Sequence, residues 1–206
     1  MLNTPRPPYG LAALVAIVAT WSAILPLDRP TWWLEVTPVL LAAPLIALSW
    51  RRFPLTPLLC AAVALHMILL LYGGHYTYAE TPFGNWLREQ LGTGRNPFDR
   101  LGHLAQGFVP ALAVREILLR RSPLRAGKWL TFITLSICLA ISAAYELLEF
   151  AAAMAIGQGA DEFLATQGDP WDTQWDMLCA LIGATLSLLL LSPLHNHQIA
   201  KLRRFS

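Results

Sequence analysis

The stretch WLTFITLSICLAISAAYELLEFAAAMAI, residues 129–156, decides the fold class of this chain. Its only charged residues are Glu146 and Glu149. A membrane-spanning helix needs about 20 predominantly apolar residues, each of which adds about 1.5 Å of rise. The stretch therefore predicts a helix that crosses a bilayer and projects beyond its hydrocarbon core at one end. Two carboxylates inside such a helix are the first sign of a polar site within the membrane.

Five other apolar stretches are also long enough to span a bilayer. They occupy residues 10–27, 33–50, 55–73, 101–119 and 172–191. The first has only Arg6 before it and no small-residue cleavage site, which favours an uncleaved anchor over a signal peptide. We therefore predict an all-α polytopic membrane protein in which residues 1–206 form a single bundle of six transmembrane helices.

The composition of the whole chain agrees with this prediction. Of its 206 residues, 55% are hydrophobic and 14% are charged, and the mean hydropathy is +0.47. A soluble domain carries about 25% charged residues, so these values exclude a disordered chain, a nucleic-acid-binding module and an ordinary soluble enzyme. Cys60, Cys138 and Cys179 each lie in an apolar stretch without a second thiol nearby, which is typical of small buried residues rather than of a disulfide.

Basic residues are distributed unevenly between the loops on the two sides of the predicted bundle. Eleven of the fifteen fall on one side, namely Arg6, Arg51, Arg52, Arg115, Arg120, Arg121, Arg125, Lys128, Lys201, Arg203 and Arg204. Because positively charged loops are retained in the cytoplasm, we expect that side, with both termini, to be cytoplasmic. Most acidic residues lie on the outer side or at its boundary, Glu35 among them.

Two outer loops are longer than a connection requires. Residues 74–98 contain several aromatic residues and a predicted short interfacial helix near residues 83–91, and residues 157–171 are acidic and punctuated by glycine. Long ordered loops beside membrane helices often act as lids or binding segments.

Ionisable residues at the outer ends of the last three predicted spans form three spaced pairs. They are Asp99 with His103, Glu146 with Glu149, and Asp172 with Asp176. Spacings of three or four residues place both side chains of a pair on one helix face. Because an ionisable residue in a membrane span is costly and faces the bundle interior, we expect the three faces to converge on one outer-facing site.

The starts of the fourth and sixth spans resemble each other. The segment Asn96-Pro97-Phe98-Asp99 is matched by Asp169-Pro170-Trp171-Asp172, and each is followed four residues later by a polar residue, His103 or Asp176. Each segment has the pattern of an N-cap residue, a proline at the first helical position and an acid at the third. The two helices are therefore expected to begin alike and to offer polar side chains at similar depth.

Structural roles compete with functional ones at several of these positions. Capping is the better interpretation of Asp169, whereas capping and ligation remain open for Asp99 and Asp172. His103 and Asp176 lie deeper, where capping no longer applies, and a functional role is favoured for them. Glu146 and Glu149 share one face of an apolar helix without basic residues. They must be protonated, paired with an outer arginine, or bound to a cation.

A divalent cation is the simplest solution to this excess of acid. Carboxylates paired on several helices, with one imidazole, form the kind of ligand set with which helix bundles bind metal ions. We predict Glu146, Glu149, Asp172 and Asp176 as ligands. The oxygen-rich mixture suits Mg, Mn or Ca, or Fe if the histidine coordinates, and it is poor for a closed structural zinc site.

Other residues complete the predicted site. His103, oriented by Asp99, is the predicted general acid or base. The candidates for substrate binding lie in the first long outer loop or just after it and are His75, Tyr76, Tyr78, Arg88, Arg95 and Arg100. The arginines are suited to binding phosphate. For the aromatic residues, the alternative role is that of an interfacial belt.

Three histidines are expected to lie outside this site. His66, midway along the third stretch, is expected to be a hydrogen-bonded core residue. His195 and His197 are expected to be solvated in a cytoplasmic tail.

Four segments carry a family resemblance. HYTYAETPFGNW (75–86), NPFDRLGHLAQGFVP (96–110), YELLEF (145–150) and TQGDPWDTQWDM (166–177) resemble the bacterial YjdF family of inner-membrane proteins, a domain family of unknown function. The resemblance covers nearly the whole chain, and the last segment is its most specific part. It implies a six-span inner-membrane protein but neither an activity nor site residues.

Three functions remain open from the sequence. The first is a metal-dependent hydrolase or transferase that acts on a lipid or lipid-linked phosphate at the periplasmic or outer side. The second is a transporter for a cation or small solute that uses the same buried acids. The third is a structural or assembly protein in which polar contacts only hold the helices together.

Overall fold

A computed structural model describes residues 5–156 and 166–203 of the chain. Every described element is helical: α1 (Tyr9–Ala23), α2 (Arg29–Ser49), α3 (Pro57–Tyr76), a 3₁₀ turn (Tyr78–Glu80), α4 (Pro82–Leu91), α5 (Phe98–Arg121), α6 (Lys128–Ile156) and α7 (Asp172–Arg203). The all-α prediction is confirmed, and so is the short helix in the first outer loop. Most of the second predicted outer loop, residues 157–165, lies outside the described residues.

Four of these helices are long and apolar enough to cross a membrane: α2, α3, α6 and α7. The chain is thus an α-helical membrane protein, and each of the six predicted stretches coincides with a helix. α1 is shorter, at 15 residues, and α5 carries charged residues near both of its ends. The span count of six therefore stays a prediction.

Local sequence signals explain where several helices begin and end. The Asp28 carboxylate accepts a hydrogen bond from the Thr31 amide at the start of α2. The Thr56 hydroxyl caps α3 from the position before Pro57. α4 ends at Gly92, which adopts the left-handed conformation that glycine tolerates best.

Close packing of α5 against α7 positions the polar pairs. A Cβ atom on Gly107 would lie 1.7 Å from the Ala180 carbonyl oxygen, and one on Gly183 would lie 2.0 Å from the Leu104 carbonyl oxygen. The two helices run in the same direction, and small residues let their backbones approach, as is common between membrane helices. Residues one turn into each helix are thereby brought to the same depth.

The inner ends of α3, α5 and α7 are joined by a second polar cluster, which we call the inner network. Its centre is Glu116, which is completely buried. The Glu116 carboxylate accepts hydrogen bonds from the Thr56 hydroxyl at 2.7 Å, Arg120 at 2.5 Å and His195 Nε2 at 2.9 Å. Arg115 lies 3.2 Å from His195 Nδ1 and only donates, so His195 carries its proton on Nε2.

The prediction that His195 is solvated is wrong, since the side chain is 0% exposed. The physical reason is that α7 continues past residue 191, through Pro193, to Arg203. This extension carries His195 against α5 instead of into a tail, whereas His197 is exposed as expected. The Nε2 atom of His66 is buried and has no hydrogen-bond partner within the described part of the chain.

Candidate functional site

Two matching turns hold the starts of α5 and α7 side by side. The Asn96 side-chain oxygen accepts a hydrogen bond from the Phe98 amide at 3.0 Å, and the Asp169 carboxylate accepts one from the Trp171 amide at 2.9 Å. Two hydrogen bonds between the Asn96 backbone and the Gln167 side chain, of 2.8 and 3.0 Å, tie the turns together. The helices begin at residues 98 and 172, slightly later than predicted, because each proline stays in the turn that precedes its helix.

An outer layer of ion pairs covers the site. Arg95 bonds Asp172 closely and lies 3.3 Å from Asp99 and 3.6 Å from Asp169. Arg100 pairs with Asp169 at 2.6 Å. Burial lowers the pKa of Arg95, but its hydrogen bond to Asp172 and the charges of Asp172 and Asp99 raise it above its usual value overall. Arg95 therefore stays cationic and neutralises much of the charge in this layer.

A deeper layer lies one turn further into the helices. His103 Nε2 lies 3.6 Å from Asp99 and Nδ1 lies 3.7 Å from Glu146 Oε1. The imidazole is oriented by Gln106, whose side-chain oxygen is 2.9 Å from Nδ1. One ligand atom from each of Asp99, His103 and Asp176 falls within 4.8 Å of the other two. These three residues, all buried, therefore form a ligand set that fits a single metal ion.

The deeper layer holds acid that the protein does not neutralise. The Asp176 side chain is 3% exposed, and its Oδ1 atom has no hydrogen-bond partner among residues 5–156 and 166–203. The same is true of Glu146 Oε1. Since a buried carboxylate oxygen without a partner is strongly unfavourable, these two carboxyl groups need either a proton or a bound cation.

Two of the four predicted ligands, Glu146 and Asp176, lie around His103. Asp172 belongs to the outer layer because its carboxylate pairs with Arg95. Glu149 is half-buried on α6, within electrostatic range of Glu146 and Asp99. The Tyr145 ring lies 6.1 Å from that of His103.

The predicted substrate-binding residues divide between two places. His75 and Tyr76 pack in an aromatic group with Trp21, with the His75 ring 4.3 Å from that of Trp21, and His75 Nδ1 is 3.1 Å from the Ser22 carbonyl oxygen. Arg88 is half-buried on α4, and no ion pair between Arg88 and a site acid occurs in the described ranges. Arg95, Arg100 and Tyr78 lie at the site itself.

The prediction from sequence missed Glu35. It is 5% exposed and lies within electrostatic range of Tyr78 and Asp99. Its position near the outer start of α2 suggested a boundary residue. An acid within the apolar sequence WWLEV was the available signal for burial.

The family and the relative that this sequence matches are both described as membrane proteins. The family described as "Predicted membrane protein (DUF2238)" matches residues 7–197. The chain is 50% identical over 194 residues to "Inner membrane protein YjdF" of Escherichia coli (strain K12), an alignment that covers 94% of this chain and 91% of the relative. No solved structure matches the chain.

Proposed function

Because this chain belongs to the YjdF family of inner-membrane proteins, we propose that it crosses the bacterial inner membrane six times, with both termini in the cytoplasm. The distribution of basic residues supports this orientation. Exposed leucines and aromatic residues on the proposed spans, for example Leu48, Leu65, Phe132 and Leu189, supply the lipid-facing surface. The acidic site then faces the periplasmic side.

The site's function is to bind a divalent cation. The observation that carries this proposal is the unpartnered Asp176 oxygen beside the buried Asp99 and His103. Two carboxylates and one imidazole suit Mg, Mn or Fe, with Ca also compatible with the oxygen ligands. Glu146 lies next to this ligand set, with Oε1 3.7 Å from His103 Nδ1.

The reaction that this arrangement suits best is hydrolysis or transfer of a phosphate on a lipid or lipid-linked substrate. The metal, when bound, supplies Lewis-acid polarisation of a phosphoryl oxygen or activates a water. In this arrangement His103 is a metal ligand with Nδ1 held by Gln106, and an imidazole bound in this way is not free to act as the general acid or base. Arg100, whose side chain is partly exposed, exchanges Asp169 for a substrate phosphate.

A second candidate, cation transport, has one specific observation in its favour. The buried hydroxyls of Thr134, Ser142 and Ser187, on α6 and α7, have no hydrogen-bond partner in the described segments. They lie along the two helices between the outer site and the inner network. Such groups are typical of a polar path through a bundle.

Elemental analysis of purified protein tests the shared premise. We expect roughly one divalent metal ion per chain in the wild type, after growth and purification without chelators. The double variant Asp176→Asn, Glu146→Gln should lose it, while the matched control Glu80→Gln, which changes an exposed acid in the outer loop, should retain it. A well-folded wild type without metal, even after incubation with Mn²⁺, contradicts the proposal.

Two assays separate the candidate functions. Metal-dependent release of phosphate from a phosphorylated lipid in detergent, lost in His103→Ala, selects the enzyme. Uptake of Mn²⁺ into proteoliposomes without such turnover selects the transporter.

A further inference from the structure

A cavity of about 370 Å³ lies at the inner end of the bundle, beside the inner network. It is lined by the end of α5, the connection between α5 and α6, and the inner part of α7. Its apolar wall is formed by Leu119, Leu124 and Ile199. Its polar side chains are those of Arg125 and Asn196, which are both exposed. A cavity of this size, with a few polar groups on an apolar wall, is typical of a binding site for a small ligand.

Positive charge predominates in the segments that form this cavity. The basic residues within segments 119–128 and 196–201 are Arg120, Arg121, Arg125, Lys128 and Lys201. Glu116 is the single acidic residue of the sequence between positions 100 and 145, and no acidic residue follows position 176. The Glu116 carboxylate already pairs with Arg120 and His195. The remaining basic side chains therefore favour an anionic ligand.

A buried cation supports the cavity wall. Arg115 is 3% exposed, and its guanidinium donates to Asn196 Oδ1 at 2.5 Å and lies 3.2 Å from His195 Nδ1. Both partners are neutral acceptors, so this buried charge is bonded to an amide and an imidazole rather than to a carboxylate. Since Arg115 holds the Asn196 oxygen, the two N–H groups of that amide remain to donate to a ligand in the cavity. Arg115 thus orients a cavity donor for an anion.

The cavity lies at the depth of the lipid headgroups. Trp129, in the first turn of α6, is 72% exposed, and Phe132 is 62% exposed one turn further along. Tryptophan is enriched where a membrane helix passes from hydrocarbon to water, so this part of α6 marks the interface. Because α6 begins at the connection that lines the cavity, the cavity is within reach of lipid headgroups and of the first part of their acyl chains.

We infer that this cavity binds the headgroup of an anionic phospholipid from the inner leaflet of the membrane. Arg125 pairs with the lipid phosphate, Asn196 donates hydrogen bonds to its oxygen atoms, and the apolar wall contacts the first part of an acyl chain. Basic pockets between membrane helices on the cytoplasmic side are typical sites for such headgroups. The orientation proposed above makes this leaflet the cytoplasmic one, and the inference does not depend on the cation site.

Lipid titration of purified full-length protein in detergent, followed by native mass spectrometry, tests the inference. Phosphatidylglycerol should bind more tightly than phosphatidylcholine, by about five-fold or more, because the basic cavity repels the choline cation. Arg125→Gln should reduce this preference by about five-fold, the contribution of one basic side chain near anionic lipid. The matched control Arg51→Gln removes an exposed arginine from the connection between α2 and α3, and it should leave the preference unchanged.

A second variant tests the cavity separately from its charge. Ala126 lines the cavity and is exposed, so Ala126→Trp obstructs the cavity, keeps every basic residue and leaves the buried packing intact. It should lower the binding of phosphatidylglycerol to the level of phosphatidylcholine. The control Pro123→Trp, at an exposed position of the same connection outside the cavity wall, should retain the preference for phosphatidylglycerol.

The outcomes distinguish the ligand from the place where it binds. Equal binding of the two lipids by the wild type overturns the inference, as does an unchanged preference in folded Arg125→Gln. Binding that survives Ala126→Trp places the lipid elsewhere on the bundle and overturns the assignment to this cavity. Inorganic phosphate at equal concentration should not displace phosphatidylglycerol, because it lacks the acyl chains that contact the apolar wall. Displacement would identify a soluble anion, rather than a lipid, as the ligand.

Discussion

The outer site and the inner network contain similar residues at opposite ends of the same two helices. Asp99 and Glu116 are about 25 Å apart along α5 at about 1.5 Å per residue, and each lies beside a buried histidine. In the inner network, four donors from three helices satisfy the Glu116 carboxylate. In the outer site, Asp176 and Glu146 keep oxygen atoms that have no hydrogen-bond partner among the described residues.

The balance of hydrogen-bond donors and acceptors separates a structural cluster from a functional one in a membrane bundle. Both clusters contain acid and histidine, so composition alone does not distinguish them. A cluster whose donors and acceptors match holds helices together, whereas one with excess acid needs either protons or a cation from outside the protein. The two regions should therefore respond in opposite ways to the same kinds of change.

Removal of the central acid should have the largest effect in the inner network. Glu116→Ala leaves the buried His195 without its acceptor and removes the carboxylate that pairs with Arg120, and we expect a loss of about 3–5 kcal/mol in the free energy of unfolding. Asp176→Ala should cost little in metal-free protein, because it relieves repulsion between acids. Denaturant unfolding in detergent measures both, with exposed Glu80→Ala as control. Equal losses for Glu116→Ala and Asp176→Ala would erase the distinction between the regions.

Cation binding should stabilise the protein through the outer site alone. At a Mn²⁺ concentration 100 times its Kd, the expected gain is about 2.7 kcal/mol, visible as a rise in Tm. Asp176→Asn should abolish the rise in Tm. Glu116→Gln should preserve the rise but start from a lower Tm in the absence of Mn²⁺. A Mn²⁺-dependent rise that survives Asp176→Asn would place the cation elsewhere.

A substitution that pushes the backbones of α5 and α7 apart should disturb the outer site and the inner network together. Gly107→Ala places a methyl group against the Ala180 carbonyl, and overpacking of this kind costs about 1–3 kcal/mol. We expect lower stability together with weaker Mn²⁺ binding. Gly94→Ala, at a position with open space around it, is the control. A stable Gly107→Ala variant with normal binding would show that the helix contact does not set the site.

Acidification should weaken cation binding in the outer site. Protons compete with the metal for the carboxylates and the imidazole, so affinity falls as pH falls, by up to about tenfold per pH unit for each proton displaced. Mn²⁺ titrations at several pH values measure the slope. A Kd that is independent of pH would contradict ligation by these residues.

The smallest effect is expected at the partly exposed edge of the outer layer. The pair between Arg100 and Asp169 is accessible to solvent, so Asp169→Asn should cost no more than about 1 kcal/mol. Thermal unfolding measures this change. A larger loss would mean that the turn at Asp169, rather than its charge, stabilises the start of α7.

Much of the outer site could be predicted from the sequence because it depends on local rules. Helical spacing places Asp99 with His103 and Asp172 with Asp176, and the similar turns at Asn96 and Asp169 set both pairs at one depth. These features require only the 3.6-residue period and the chemistry of helix starts.

The remaining features depend on contacts between distant segments. The inner network requires α7 to continue through Pro193, beyond the predicted stretch that ends at residue 191, and to carry His195 against Glu116. The pairing of Arg95 with Asp172 joins positions 77 residues apart. Glu35 is buried by the packing of α2 on α3, which no local pattern encodes.

Anomalous diffraction from crystals grown with Mn²⁺ is the most direct test of whether a divalent cation binds in the outer site. We expect one strong anomalous peak bounded by Asp99, His103 and Asp176, and none in the inner network around Glu116. Ordered protein without a peak at that position, or with Mn²⁺ bound at Glu116 instead, would contradict this expectation.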